Sequence, residues 1–255
     1  MEIIAVANQK GGTGKSTTAA AIAAGLNKRG YTALLIDLDP QGNTSYSYGA
    51  ETDGKKNILS VLMEQITAAE AIQTTGQGDI IISSPELARA DTLFTEKGRE
   101  YVLSEAIKPL KRRYDFCLLD CPPSLGTLTV NALTAADSVL ITTTADAYGL
   151  QGIMQLRKTL EPVKKYANKA LRIKGILLTQ FNGRATINRE IRDSLQAIAK
   201  EAFKSKLFNT TIRSSTKVKE AQIRRLSLYE YAPKAAVTQD YNDLIDELLQ
   251  KTEKQ

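Results

Sequence analysis

Short, continuously apolar runs alternate along this chain with longer segments whose apolar residues return every three or four positions. The runs predict strands at Ile3–Asn8, Ala33–Asp37, Asp79–Ile82, Phe116–Asp120, Ser138–Thr143, Ile173–Gln180 and, with a weaker pattern, Leu207–Ile212. The helical period predicts helices at Ser16–Arg29, Asn57–Gln65, Glu100–Leu110, Leu125–Ala135, Gln151–Ala167, Ile187–Phe203, Lys217–Leu226 and Ala235–Lys251. Gly30 stands where the first of these needs a left-handed residue to stop it. Strands that are apolar along their whole length belong in a sheet covered on both faces. The order therefore predicts an α/β fold, a mostly parallel twisted sheet with helices on both faces. No low-complexity linker, internal repeat or break in composition divides the 255 residues, so a single domain is expected.

Composition narrows the chemistry. The chain has no His, no Trp and two Cys, Cys117 and Cys121. Without His, a Ser-His-Asp hydrolase, a zincin and a His-ligated haem are excluded, and two Cys exclude a disulfide scaffold. No apolar run approaches the ~18 residues of a membrane span. Met1–Asn8 reads as a strand rather than a signal peptide, so a soluble cytoplasmic protein is expected. Charge divides the chain into three parts. Residues 1–150 hold 13 Lys+Arg and 17 Asp+Glu, residues 151–234 hold 19 and 6, and residues 235–255 hold 2 and 5. The middle excess suggests a polyanion-binding face, although solvated helix faces would produce the same imbalance.

The most informative stretch is Asn8-Gln9-Lys10-Gly11-Gly12-Thr13-Gly14-Lys15-Ser16-Thr17, directly after a predicted strand and opening a predicted helix. Glycines let the backbone turn with its N–H groups inward, an anion cradle at a helix N-terminus. Lys15 would then reach the β- and γ-phosphates and the Ser16 hydroxyl would ligate Mg²⁺. The usual pattern wants Gly five positions before Gly14. Here that position is Gln9, and a second lysine, Lys10, precedes the glycine pair.

Lys10-Gly11-Gly12-Thr13-Gly14-Lys15-Ser16 resembles the deviant Walker A box of the ParA/MinD group of P-loop ATPases. Leu34–Asn43 resembles that group's switch I, and Cys117–Leu125 its Walker B and switch II. The similarity resumes at Gly175–Arg184 and Phe208–Ala221, so it covers essentially the whole chain. Within the group the chain looks most like Soj-type ParA proteins. The resemblance implies ATP and Mg²⁺ as cofactors, with Lys10, Gly11, Gly12, Thr13, Gly14, Lys15, Ser16 and Thr17 cradling the nucleotide. It implies that Lys10 reaches across an ATP-sandwich homodimer to the partner's nucleotide. Asp39 would position the attacking water, and Ser16, Asp39 and Asp120 would serve the metal, Asp120 through its water shell, with Asp37 contributing from further out. Lys10, Lys15, Asp39 and Asp120 form the expected catalytic set.

Asn182 stands where the family often places an adenine-pairing Asn or Asp; a turn Asn beside Gly183 is the alternative. Arg184 and Lys217 stand where Soj-like proteins carry basic residues implicated in nonspecific binding of double-stranded DNA, and Lys219, Arg224 and Arg225 join them as candidates. Where the family usually reads Ile-Pro-Arg this chain reads Ile212-Arg213-Ser214, and a Pro-Ser-His-Gly stretch is replaced by Gln222-Ile223-Arg224-Arg225. Loss of these breakers predicts a longer helix. Cys117 and Cys121 are expected to be small buried residues rather than cluster ligands. The last helix shows Tyr241, Leu244, Ile245, Leu248 and Leu249 on one side and Asp243, Asp246 and Glu247 on another. That polar face has the wrong sign for anionic lipid, so packing is expected and no membrane partner. The expected function is an ATP-dependent DNA-partitioning ATPase, nucleoid-associated, with hydrolysis stimulated by a ParB-like protein. Residues 1–150 would hold the nucleotide boxes, 151–234 the DNA-facing part and 235–255 a packing helix. A MinD-like membrane-cycling regulator and a cluster-assembly-type ATPase are the alternatives.

Overall fold

Eight strands hydrogen-bond into one sheet in the order β3-β4-β2-β5-β1-β6-β7-β8. They are β1 (Glu2–Ala7), β2 (Ala33–Asp37), β3 (Ile72–Thr75), β4 (Gly78–Ile81), β5 (Phe116–Asp120), β6 (Ser138–Thr143), β7 (Arg172–Leu178) and β8 (Leu207–Thr211). The computed structural model describes residues 1–182 and 186–250. All pairings are parallel except that of β3 with β4. The mostly parallel α/β architecture is the one the apolar runs predict. β2, β5 and β6 have the predicted bounds, and β1, β4, β7 and β8 shift by one or two residues.

Strand alternation sends the side chains to two cores. Ile3, Ala5, Leu34, Ile36, Cys117 and Leu119 meet one set of helices, Val102–Ile107, Thr127–Ala135 and Ala147–Pro162. Ile4, Val6, Leu35, Leu118 and Leu140 meet Lys15–Lys28 and Ala236–Leu249. Both cysteines are free and fully buried, as small core residues. Because seven strands run parallel, their carboxyl ends lie along one edge, where the loops after β1, β2, β5, β6, β7 and β8 converge.

Several local expectations are corrected. β3 was not expected: Ile72-Gln73-Thr74-Thr75 has one apolar residue, and its pairing comes from a tight hairpin to β4. The predicted helix Glu100–Leu110 is a 3₁₀ turn, a short helix and a second 3₁₀ turn, Arg99–Tyr101, Val102–Ile107 and Lys108–Arg112. Pro109 sits at the start of the last turn, where its missing N–H costs no helical bond. The helix expected over Lys217–Leu226 is not lengthened. It is Thr216–Ile223, closed by Arg225 in the left-handed region (φ 57°) with the Leu226 amide donating to the Ala221 carbonyl. A separate turn of helix, Leu228–Tyr231, follows.

The C-terminal helix packs as expected. Val237, Tyr241, Leu244, Ile245 and Leu248 are buried, Asp246 pairs with Arg29 (2.6 Å) and Glu247 with Lys206 (2.7 Å). It crosses Lys15–Lys28 at Gly25, whose missing side chain is what permits the approach. A Cβ there would overlap Ile245 Cδ1 and Tyr229 Oη. The crossing brings the Tyr241 hydroxyl to Thr18 (3.4 Å) in the first turns of the glycine-loop helix. Gly25→Ala should therefore destabilise the fold despite the helix propensity it gains: overpacking costs ~1–3 kcal/mol and the propensity returns up to ~1 kcal/mol. Urea unfolding should show a net loss of about 1–2 kcal/mol.

Candidate nucleotide site

The glycine loop leaves β1 and runs into the helix Lys15–Lys28 through Gly14 in the left-handed region (φ 76°), with Gly12 similar (φ 74°). Neighbouring strands set the direction of its peptides. The Thr179 hydroxyl donates to the Thr13 carbonyl (2.8 Å) and Gln180 Nε2 to the Gly12 carbonyl (2.6 Å), so both carbonyls are held toward β7. Thr13 Oγ1 meets Thr142 Oγ1 (3.1 Å), and Asn8 Nδ2 donates to the Thr142 carbonyl (2.6 Å). Nothing lies within 4 Å of where a Cβ on Gly11 or Gly12 would be, so the mouth of the loop is open. The first turn carries no acidic residue, as an anion at a helix N-terminus requires.

Lys15 is buried, its Nζ donating to the Lys10 carbonyl (3.3 Å). Burial lowers its pKa, against the raising effect of Asp120, Cys121 and Asp39. Lys10 points elsewhere. Its Nζ donates to both oxygens of Asp146 (2.8 and 2.7 Å) and to Thr144 Oγ1 (2.9 Å), in the loop after β6. Asp146 also caps the helix Ala147–Pro162 by accepting from the Gly149 amide (2.8 Å). Partial burial works to raise its carboxyl, yet the bonds from Lys10, Thr144 and Gly149 hold it below the usual range.

Two carboxylates stand side by side behind the loop, because β2 and β5 pair in a register that sets Asp37 opposite Asp120. Both are fully buried. The short helix Asn43–Ser47 answers them. Ser45 donates to Asp37 Oδ2 from its amide (2.8 Å) and hydroxyl (2.7 Å), and Thr44 Oγ1 donates to Asp120 Oδ2 (2.6 Å). Asp120 Oδ1 is buried with no hydrogen bond among the described residues. An orphaned carboxylate oxygen near Ser16 and Lys15 fits a hydrated cation, the chemistry expected of Mg²⁺. Asp39 is half-buried, its Oδ1 accepting from the Gln41 amide (3.0 Å) and its carbonyl accepting from Ser83 Oγ (2.5 Å).

The cavity in front of the loop is about 590 Å³, large enough for a nucleotide. Its lining includes Lys15, Ser16, Asp39 and Asn43 together with Ile212–Ser215, Val218 and Ile223. Gln180 lines it, while Asn182, two residues on, is exposed. Among the cation candidates, Lys217, Lys219 and Arg224 are exposed. Arg225 is half-buried and engaged: Nε donates to the Tyr46 carbonyl (3.1 Å) and Nη2 to that of Ala50. Arg184 lies outside the described residues. Thr44, Ser45, Asp146, Thr179, Gln180, Gln222 and Arg213 were not among the expected site residues. All but Ser45, whose partner Asp37 ends the preceding strand, were silent in the sequence because their partners lie on distant elements.

The paired carboxylates make stability depend on pH. Burial, then the facing Asp120, pushes Asp37 up to about 7; burial likewise raises Asp120 to about 6, with Thr44, Ser16 and Lys15 pulling down. An acid raised on folding keeps its proton to higher pH in the native state than in the unfolded chain. Stability then falls as pH rises from the ordinary carboxylate range toward 7. In Mg²⁺-free, nucleotide-free protein the melting temperature should drop between pH 5 and pH 7.5. Asp120→Asn should flatten that slope, and an unchanged slope in this variant would contradict the pairing.

The chain and its fold have counterparts among known proteins. A family profile described as an AAA domain matches residues 1–173. The chain is 36% identical over 251 residues to the Bacillus subtilis sporulation initiation inhibitor protein Soj, covering 97% of this chain and 98% of that protein. It is 35% identical over 256 residues to the Myxococcus xanthus chromosome partitioning protein ParA, covering 98% and 88%. Its fold matches a Mycobacterium smegmatis structure described as cobyrinic acid a,c-diamide synthase with a bound ATP analogue and magnesium. The TM-score is 0.86 at 30% identity, over 100% of this chain and 96% of that one. With its glycine loop opening the first helix and matches of this length to Soj and ParA, the chain belongs to the ParA/Soj family of P-loop ATPases.

Proposed function

We propose that the chain is an ATP-dependent DNA-segregation ATPase. In this reading it binds ATP and Mg²⁺ in the 590 Å³ cavity, pairs with a second copy across the nucleotides, and holds duplex DNA without regard to sequence. It leaves DNA when a ParB-like partner stimulates hydrolysis. The observation that carries the reading is the helix Thr216–Ile223. Val218, Lys219, Gln222 and Ile223 wall the cavity, while Lys217 and Arg224 stand exposed at its two ends. Gln222 Nε2 donates to Thr17 Oγ1 (3.1 Å) on the phosphate-loop helix, and Arg225 grips the backbone at Tyr46 and Ala50, in and just after the helix Asn43–Ser47. One short element thus touches the nucleotide cavity and carries cations of the basic middle block.

The roles follow from position. The loop amides and Lys15 hold the β- and γ-phosphates at the helix N-terminus. Ser16, Asp39 and Asp120 would hold Mg²⁺, which would supply charge neutralisation for the phosphates. Asp39 is the one carboxylate among the described lining residues, and this supports giving it the task of orienting the attacking water. Lys10 serves the second copy, and to do so it must leave Asp146, which holds it in its own chain. Asn182 is the adenine candidate. Lys217, Lys219 and Arg224, with Arg184, give phosphate contacts that read charge and not bases; Arg225 acts instead as the tie to the helix Asn43–Ser47. The name of the Mycobacterium smegmatis structure points to a synthase, a reading that leaves the cation excess of residues 151–234 without a role.

The DNA test is direct. ATP-loaded protein should shift an arbitrary duplex in ~50 mM salt, and the slope of log affinity against log salt should fall by about 0.9 for each contact removed by Lys217→Ala, Lys219→Ala or Arg224→Ala. A symmetric dimer doubles each loss. ATP-loaded protein that ignores DNA under these conditions would sink the segregation reading. For assembly, Lys10→Ala should lose ATP-dependent dimerisation, whereas Asp39→Ala should slow hydrolysis and accumulate the ATP-bound dimer. Light scattering with ATP distinguishes them, and identical behaviour of the two variants contradicts the assigned roles.

A further inference from the structure

Thr179 and Gln180 follow β7 and lie against the glycine loop; a Cβ on Gly14 would stand 3.6 Å from the Thr179 side chain. The two residues hold two successive loop carbonyls, Thr179 that of Thr13 (2.8 Å) and Gln180 that of Gly12 (2.6 Å). Their settings differ. Thr179 is buried, and its hydroxyl also lies 3.1 Å from the Thr143 carbonyl. Gln180 is exposed, its backbone stands in the left-handed region (φ 51°), and its side chain makes no other hydrogen bond among the described residues. That backbone favours glycine, and a residue with a Cβ adopts it at a cost. In an exposed residue the cost is offset by what the side chain reaches, here the loop. We propose that Gln180 is a positioning residue for phosphate binding. Its side-chain amide sets the Gly12–Thr13 peptide so that the Thr13 N–H is free for the phosphates of the nucleotide.

The proposal rests on the nucleotide reading above and concerns how the loop is prepared for its ligand. A trans peptide is planar, so its N–H points opposite to its C=O. Holding the Gly12 and Thr13 carbonyls toward β7 therefore turns the amides of Thr13 and Gly14 away from β7. Neither amide donates to a protein group among the described residues, although Thr13 is fully buried. Buried donors are nearly always paired, and the group that would pair these is an anion on the loop. Gly12 by itself does not fix the peptide. It has no Cβ, and nothing lies within 4 Å of where one would be, so its backbone is free to turn. A loop that its ligand must first order binds more weakly by the cost of that ordering. A glutamine amide meets the need: the Gly12 carbonyl only accepts, and Gln180 Nε2 donates to it from a neighbouring strand end before any anion arrives.

Titration calorimetry of the full chain with Mg²⁺ and either ADP or inorganic tripolyphosphate tests this, alongside thermal melting without ligand. Gln180→Met keeps the length of the side chain and removes the donor. Gln180→Gly removes the donor and relieves the left-handed backbone as well. Each variant should bind both ligands about three- to tenfold more weakly, the worth of one hydrogen bond. The melting temperature should hold within ~4 °C in Gln180→Met and hold or rise in Gln180→Gly, because a freed loop is still part of the native state. Wild-type affinity in both variants overturns the proposal. So does a loss for ADP alone, which would make Gln180 a contact for the nucleoside. A larger fall in melting temperature in both variants would make Gln180 a strut of the fold and overturns it too. Wild type that binds neither ligand overturns the nucleotide reading, and the positioning role with it.

Discussion

Parallel pairing of β2 with β5 buries two carboxylates, Asp37 and Asp120, opposite one another, and the donors gathered around them follow from that juxtaposition. Two like charges out of water are costly unless donors or a cation answer them. The chain answers one carboxylate completely. Asp37 accepts from the Ser45 amide and hydroxyl and, at 3.1 Å, from the Asp39 amide. It answers the other less fully, with Thr44 on Oδ2 and no hydrogen bond on Oδ1 among the described residues. The unanswered oxygen is what gives the site its demand for a cation, and Lys15 and Ser16 arrive beside it on the helix that also presents its amides to phosphate.

The same donors explain the short helix Asn43–Ser47. Asn43-Thr44-Ser45-Tyr46-Ser47 is built from poor helix formers, yet it makes a turn of helix because Thr44 and Ser45 each bond a buried carboxylate. The segment is then tied onward. Ser45 Oγ accepts from the Ser83 amide (2.9 Å), and Gln77 Nε2 joins the carbonyls of Ser47 (2.8 Å) and Arg225 (3.2 Å). Hydrogen bonds therefore connect the helix Asn43–Ser47 at one end to Asp120 and, through Gln77, to the Arg225 turn that closes the helix Thr216–Ile223.

Lys10 and Arg213 illustrate a second theme, cations held by a carboxylate within their own chain. Asp146 and Asp240 both use bidentate acceptance, and both belong to helices that line or flank the cavity. The outcomes differ with the reach of the side chain. Arg213 is gripped along one edge of its guanidinium, whereas Lys10, a point charge on a flexible stem, gathers both Asp146 oxygens and Thr144 around a single Nζ.

The parallel sheet, the glycine loop and its lysines, and the carboxylates at the ends of β2 and β5 were legible in the sequence. Each is a local signal: an apolar run, a turn forced by glycine, or an Asp ending a strand, readable from a few adjacent residues. The C-terminal packing helix was legible for the same reason, through its 3.6-residue period. The hairpin strand β3 and the helix Asn43–Ser47 were not, because tertiary partners and turn geometry overrode weak propensity. The finer architecture of the pocket lay wholly outside local reading. Lys10 meets Asp146 across 136 positions, Gln180 meets Gly12 across 168, Gln222 meets Thr17 across 205, and Arg213 meets Asp240 across 27. Hydrogen-bond partners at such separations leave no periodicity in the chain. The sequence by itself determined which chemical groups reach the carboxyl edge of the sheet, and only the tertiary structure decided which of them are held by one another and which face the cavity.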